Sequence, residues 1–96
     1  MDATVRVTVK FMSVARQRAG ASIVEFTCPQ STLRDVTRAI VDSYGIADII
    51  LTVEGEIRPW ARVLVNGRAQ EHVGGLDVEL HDGDTLALVY PYTENF

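Results

Sequence analysis

The chain has 96 residues, 47% of them apolar and 23% charged, with a net charge of −4. That length suits one domain, residues 1–96, able to hide roughly 60–70% of its extended surface around one core. The balance is that of a globular chain rather than a disordered one. No apolar run approaches the roughly 18–20 residues that span a bilayer, and no basic-then-apolar leader opens the sequence. Cys28 is the single cysteine, which excludes an intrachain disulfide and points to a reducing, cytoplasmic setting. The negative balance argues against nucleic acid as a partner.

Charge is unevenly spread along the chain. Residues 1–40 hold six Lys/Arg against three Asp/Glu, and residues 41–96 hold three against ten, giving +3 and −7. One reading is ordinary solvated charge on loops. The other is an acidic, tail-bearing end that steers into a basic cleft.

Residues 4–11 alternate strictly. Val5, Val7, Val9 and Phe11 share one face and Arg6, Thr8 and Lys10 the other, which is the period of a half-buried strand. Residues 13–20, carrying Arg16, Arg18 and Gly20, read as a loop. Residues 22–27 form a second strand, hairpin-paired with the first and broken by Cys28-Pro29-Gln30. A helix follows. Ser31 or Thr32 caps it, and Asp35 completes an approximate capping box. Leu33, Val36, Ala39 or Ile40, and Tyr44 recur at helical spacing, with Arg34, Asp35, Arg38 and Asp42 turned outward. Gly45 ends it. Residues 46–59 read as irregular, with Gly55 and Pro59 as breakers. Residues 62–65 are a third strand, Asn66-Gly67 a tight turn into a short fourth strand near 68–70, Gly74-Gly75-Leu76 a glycine turn with an apolar anchor, and His81-Asp82-Gly83-Asp84 another turn. Residues 85–90 are the last strand and residues 91–96 a tail.

One amphipathic helix on one mixed sheet of four to five strands is a two-layer α+β domain. The expected core is Val5, Val7, Val9, Val24, Phe26, Leu33, Val36, Ile40, Val63 or Leu64, Leu86 and Leu88.

Three stretches resemble a known family. They are Val63-Leu64-Val65-Asn66-Gly67, then Gly74-Gly75-Leu76 with Leu80-His81-Asp82-Gly83-Asp84, then an apolar strand ending at Pro91. Their order and spacing are similar to those of the MoaD/ThiS family of ubiquitin-like sulfur carriers. The resemblance implies a β-grasp fold with first and last strands parallel in the middle of the sheet. It also implies a protein partner, either an activating enzyme or a synthase subunit in molybdopterin, thiamine or cysteine synthesis. In that family a terminal Gly-Gly carboxylate is adenylated and converted to a thiocarboxylate. Here Asn95 and Phe96 occupy the glycine places, so the expected role is docking on such an enzyme rather than carriage of sulfur. The alternative is an interaction module or accessory subunit derived from the carrier fold.

The residues themselves point to docking too. If Leu86 and Leu88 face the helix, Ala87 and Val89 face outward on the side of the sheet that the helix leaves open. Tyr90, Tyr92 and Phe96 gather aromatics at the strand's exit, a composition suited to a protein interface. The candidate partner-binding residues are therefore Ala87, Val89, Tyr90, Pro91, Tyr92, Thr93, Glu94, Asn95 and Phe96. His72 and His81 with Asp82 and Asp84 match no zinc spacing or complete calcium loop. Cys28 reads as a structural thiol. With no Ser/His/Asp constellation, no paired acid and base, and no phosphate-cradling loop, the expectation is a non-enzyme without cofactor or metal.

Overall fold

The computed structural model describes residues 3–90. Strand β1 (Thr4–Ser13) carries the alternating pattern, with Val5, Val7, Val9 and Phe11 all buried. It continues two residues beyond the expected end, so Met12 joins the outward series of Arg6, Thr8 and Lys10. Residues 14–19 are not a loop but a short helix, α1 (Val14–Ala19). Helix-favouring Ala and Arg fill it, Ala15 is buried, and Arg18 reaches Asp48 through both carboxylate oxygens at 3.0 and 3.1 Å. Six residues are too few to hold a helix by propensity, so packing holds this one.

Strand β2 (Ile23–Pro29) pairs antiparallel with β1, from Lys10 opposite Ile23 to Thr4 opposite Pro29. It includes Cys28 and Pro29, which were expected to break it. Pro29 is tolerated because β2 is an outer strand and a missing N–H on that side costs no ladder bond.

Helix α2 (Leu33–Tyr44) starts as expected. Thr32 is extended and its Oγ1 accepts from the Asp35 N–H at 3.2 Å. The first free amides of the helix are also met from outside: Leu33 N–H donates to the Val78 carbonyl and Arg34 N–H to that of Leu76. The Gly74-Gly75-Leu76 turn thus serves as a cap for α2, with both glycines at positive φ, 115° and 84°, where a Cβ is disfavoured. Leu33, Val36, Ile40 and Val41 are buried against the sheet. Tyr44 is half-buried, its ring 4.9 Å from that of Phe11. Gly45, left-handed at φ 69°, ends the helix.

The stretch expected to be irregular contains helix α3 (Ala47–Ile50), and Ile46, Ile49, Ile50 and Leu51 all join the core. The loop that follows is tied down by arginines. Arg38 donates to the Thr52 carbonyl at 2.9 Å and Arg58 to that of Leu51 at 3.1 Å, while Arg34 meets Asp77, Glu56 and the Gly55 carbonyl. Strands β3 (Arg62–Val65) and β4 (Arg68–Ala69), a 3-10 turn (Gln70–His72) and strand β5 (Thr85–Tyr90) complete the chain of elements.

The sheet order is β2-β1-β5-β3-β4, with β1 and β5 parallel in its interior and the other pairings antiparallel. All the helices lie on one side. Most of the expected core is buried, and Val63 rather than Leu64 fills the third-strand position. Val24 and Phe26 are only half-buried, because an outer strand has a neighbour on one side alone.

Candidate docking surface

Which side of the sheet carries no helix among the described residues is set by parity. With Leu86 and Leu88 fully buried, Ala87 and Val89 fall on the opposite face. Across the sheet, Ala87 lies beside Lys10 on β1 and Leu64 on β3, and Lys10 in turn lies beside Ile23. Val89 lies between Met12 and Arg62. The open face is therefore an apolar band, Ile23, Ala87, Leu64, Met12 and Val89, crossed by the stem of Lys10 and bordered by Arg62 beside Val89. Ile23 is 62% exposed and Met12 48%. Exposed large apolar groups gathered on one face distinguish a contact surface from scattered surface residues.

Ala87 and Val89 lie where expected, both half-buried. Tyr90 does not. Its place in the alternation is that of Leu86 and Leu88, and it packs half-buried against the core, so it braces the exit of β5 from the helix side. Pro91, Tyr92, Thr93, Glu94, Asn95 and Phe96 lie outside the described residues. Lys10, Met12, Ile23 and Leu64 were not singled out from the sequence. Continuing the outward series of β1 by one step would have found Met12. Ile23 and Leu64 needed the strand register.

The electrostatics reverse the linear expectation. Because β1 and β5 run parallel, Tyr90 lies opposite Ser13, and the exit of β5 sits among Arg62, Lys10 and helix α1 with Arg16 and Arg18. The acidic residues Asp77, Glu79, Asp82 and Asp84 cluster near the start of β5, about 16 Å away at ~3.3 Å per residue. Among the described residues, the exit of β5 therefore has Lys10, Arg16 and Arg62 near it, with Arg18 committed to Asp48. Arg62 turns back on the carbonyls of Pro59 and Ala61 at 3.3 and 3.0 Å. The side chains of Lys10 and Arg6 make no hydrogen bond or ion pair among the described residues and point their charge to solvent.

The turn motifs behind the family resemblance form one hydrogen-bonded unit. Asn66 N–H donates to the Thr85 carbonyl at 2.8 Å, Thr85 N–H to Asn66 Oδ1 at 2.9 Å, and Asn66 Nδ2 to Asp84 Oδ1 at 3.1 Å. Asp84 Oδ2 accepts from the His81 N–H at 2.8 Å, and Asp82 Oδ1 from the Arg6 N–H at 2.8 Å. Gly83 N–H donates to the Arg6 carbonyl. These carboxylates clamp the start of β5 to β1 and β3, which is turn chemistry. Burial raises the pKa of the Cys28 thiol, which keeps it protonated and weakly nucleophilic.

A hairpin, a helix crossing the sheet, and a last strand inserted parallel beside the first define a ubiquitin-like β-grasp domain. Comparison with known proteins agrees. The sequence matches the ThiS family over residues 9–93. It is 32% identical over 85 residues to small archaeal modifier protein 3 of Haloferax volcanii, covering 86% of this chain and 91% of that protein. The solution structure of the Haloferax volcanii HVO 2177 protein superposes with a TM-score of 0.78 at 27% identity, covering 96% of this chain and 88% of that one. For the Amycolatopsis orientalis BexX/CysO complex the TM-score is 0.73 at 25% identity, covering 93% and 99%. The chain belongs to the ThiS family, whose ubiquitin-fold relatives are small modifiers and sulfur carriers of the MoaD and CysO kinds. Among the described residues no helix is long and apolar enough to cross a membrane.

Proposed function

We propose that this protein acts by docking the open face of its sheet, with the exit of β5 and residues 91–96, on a partner enzyme of sulfur transfer or cofactor synthesis. The observation that carries the reading is the apolar band Ile23, Ala87, Leu64, Met12 and Val89 beside the unpaired cation Lys10. A band of that kind fits a partner surface with an apolar centre and acidic neighbours. The partner in view is an adenylating enzyme or a synthase subunit. A photo-crosslinking residue at Val89, compared with one at the exposed Val53 on the helix side, tests this in native cells. Adducts identified by mass spectrometry as such an enzyme at Val89 and absent at Val53 support the reading. Equal adducts at both positions, or adducts at Val53 only, overturn it.

Whether sulfur is carried is a separate matter, since Asn95 and Phe96 stand where the carriers have glycine. Side chains there must find room in a channel shaped for bare backbone, and misplacing a reacting carboxylate by about 1 Å costs on the order of a hundredfold in rate. The reading is that docking persists while adenylation of a Phe96 carboxylate is poor. Intact mass of the protein from native cells decides it. A Phe96 terminus without modification supports an interaction module. A mass increased by the difference between sulfur and oxygen supports a carrier.

A further inference from the structure

Strand β2 ends the sheet, with no strand on its far side among the described residues. Its ladder to β1 fixes which backbone groups remain open. Phe11 N–H donates to the Ser22 carbonyl and Gln30 N–H to that of Ala3, and the antiparallel register is unbroken between them. Bonding alternates in such a pair. Val24, Phe26 and Cys28 therefore spend their N–H and C=O groups on β1, while Ile23, Glu25 and Thr27 turn theirs outward. Pro29, next in the outward series, has no N–H and closes that edge.

Beside the edge, on the helix side, lies a cleft of about 240 Å³ lined by Cys28, Pro29, Ser31, Asp35, Val36 and Ala39. Its outer wall is α2. Asp35, Ala39 and Asp42 are spaced four and three residues apart, so they form one stripe of that helix. Asp35 and Asp42 are exposed. Asp35 accepts from Ser31 Oγ at 2.8 Å, and neither carboxylate has a cationic partner among the described residues. An apolar cleft is thus flanked by two negative charges and runs beside an open row of backbone donors and acceptors.

We propose that this edge takes up an extended segment of a partner protein as an added strand. Its backbone pairs with Ile23, Glu25 and Thr27, an apolar side chain enters the β2–α2 cleft, and basic side chains two residues to either side meet Asp35 and Asp42. The spacing fits. Same-face side chains on a strand recur every ~6.6 Å, and Ala39 lies ~6 Å from Asp35 and ~4.5 Å from Asp42 along the helix. The pattern recognised is basic-x-apolar-x-basic, and main-chain bonds supply much of the affinity, as in other strand additions. This edge lies apart from the apolar band of the open face and does not depend on the function proposed above.

The probe is a synthetic peptide, acetyl-Thr-Lys-Thr-Ile-Thr-Lys-Thr-amide, titrated into the isotope-labelled full-length protein and followed by amide shifts. Shifts centred on β2 and the first half of α2 are expected, together with slower alkylation of Cys28 by a maleimide, since that thiol lines the cleft. Replacing both Lys of the peptide with Glu should weaken binding at least about tenfold. T27P, which removes an outward N–H and no internal ladder bond, should abolish binding with the protein still folded. D35K/D42K, which leaves the edge intact, should reverse the preference between the two peptides. Equal binding of both peptides to the wild type, unchanged binding to folded T27P, or no binding at millimolar peptide overturns the proposal. So does sedimentation showing the wild type self-associated and T27P monomeric, which would assign the edge to a second copy of the chain.

Discussion

The two ends of strand β5 are built differently. At its start, Thr85 and the residues before it are fastened by polar side chains: Asn66 and Asp84 close a ring of bonds with Thr85 and His81, and Asp82 holds the Arg6 amide. At its exit, Val89 and Tyr90 are positioned by the ladder with Met12 and Ser13 and by packing of Tyr90 against the core. Negative charge gathers at the first end, where Asp82 and Asp84 are committed to turns and Asp77 to Arg34. Positive charge gathers at the second, and Lys10 is left to solvent. An end whose polar groups are satisfied internally has little to offer a partner. An end whose shape is set by packing keeps its charges available, and there the chain leads into residues 91–96.

The largest test removes what both ends share. Leu88 lies between them and is fully buried, so Leu88→Ala should cost roughly 2–5 kcal/mol in denaturant unfolding. A loss under about 1 kcal/mol would reverse the faces assigned to β5. Next comes the start. Asp84→Ala removes the acceptor of the exposed His81 and Asn66 donors, which water then meets, and should cost about 1–2 kcal/mol. A near-neutral result would mean that the ring of bonds contributes little and the contrast with the exit dissolves.

At the exit the expected sign is opposite. Ser13, the N-cap of α1, sits at φ 59° and ψ −131°, a conformation that strains a residue with a Cβ. Ser13→Gly should raise stability by about 1 kcal/mol after the entropy cost of glycine. A loss of stability would show that the turn is not strained. The smallest effect on folding belongs to the docking band. Val89→Asp should change stability by less than about 1 kcal/mol while reducing crosslinking of partner from an adjacent position such as Met12. A folded Val89→Asp protein that crosslinks as the wild type does would remove this band from the interface.

Much of the architecture was legible because local rules and global packing agree. The period-two run of β1, the Thr32 cap, the Gly45 stop and the Asn66-Gly67 turn each state their own structure. The misreadings fall where burial overrode local signals. Residues 14–19 and 47–50 looked like loops because they are short and interrupted, yet Ala15, Ile49 and Ile50 bury enough to hold helical turns. Cys28 and Pro29 looked like a break because a proline ends an interior strand, and the sequence does not say which strand lies at the edge. Tyr90 was grouped with Tyr92 and Phe96 at the strand's exit by closeness in sequence, though the alternation from Leu88 places it on the helix side.

The sequence by itself determined the kind of domain, the identity of most elements and the inward and outward faces of β1 and β5, since periodicity and turn chemistry are properties of neighbouring residues. Only the tertiary structure decided where the charge and the free edge lie. The chain is basic early and acidic late, and a linear reading makes its tail acidic. Parallel insertion of β5 beside β1 brings Lys10 and helix α1, with Arg16 and Arg18, to the exit of β5, while Arg6 and Arg34 stay with the late carboxylates at the far end of the strand. Strand order likewise exposes β2 and covers β5. Both outcomes depend on which distant segments share a ladder, and that pairing is selected by the common core rather than by any residue's neighbours.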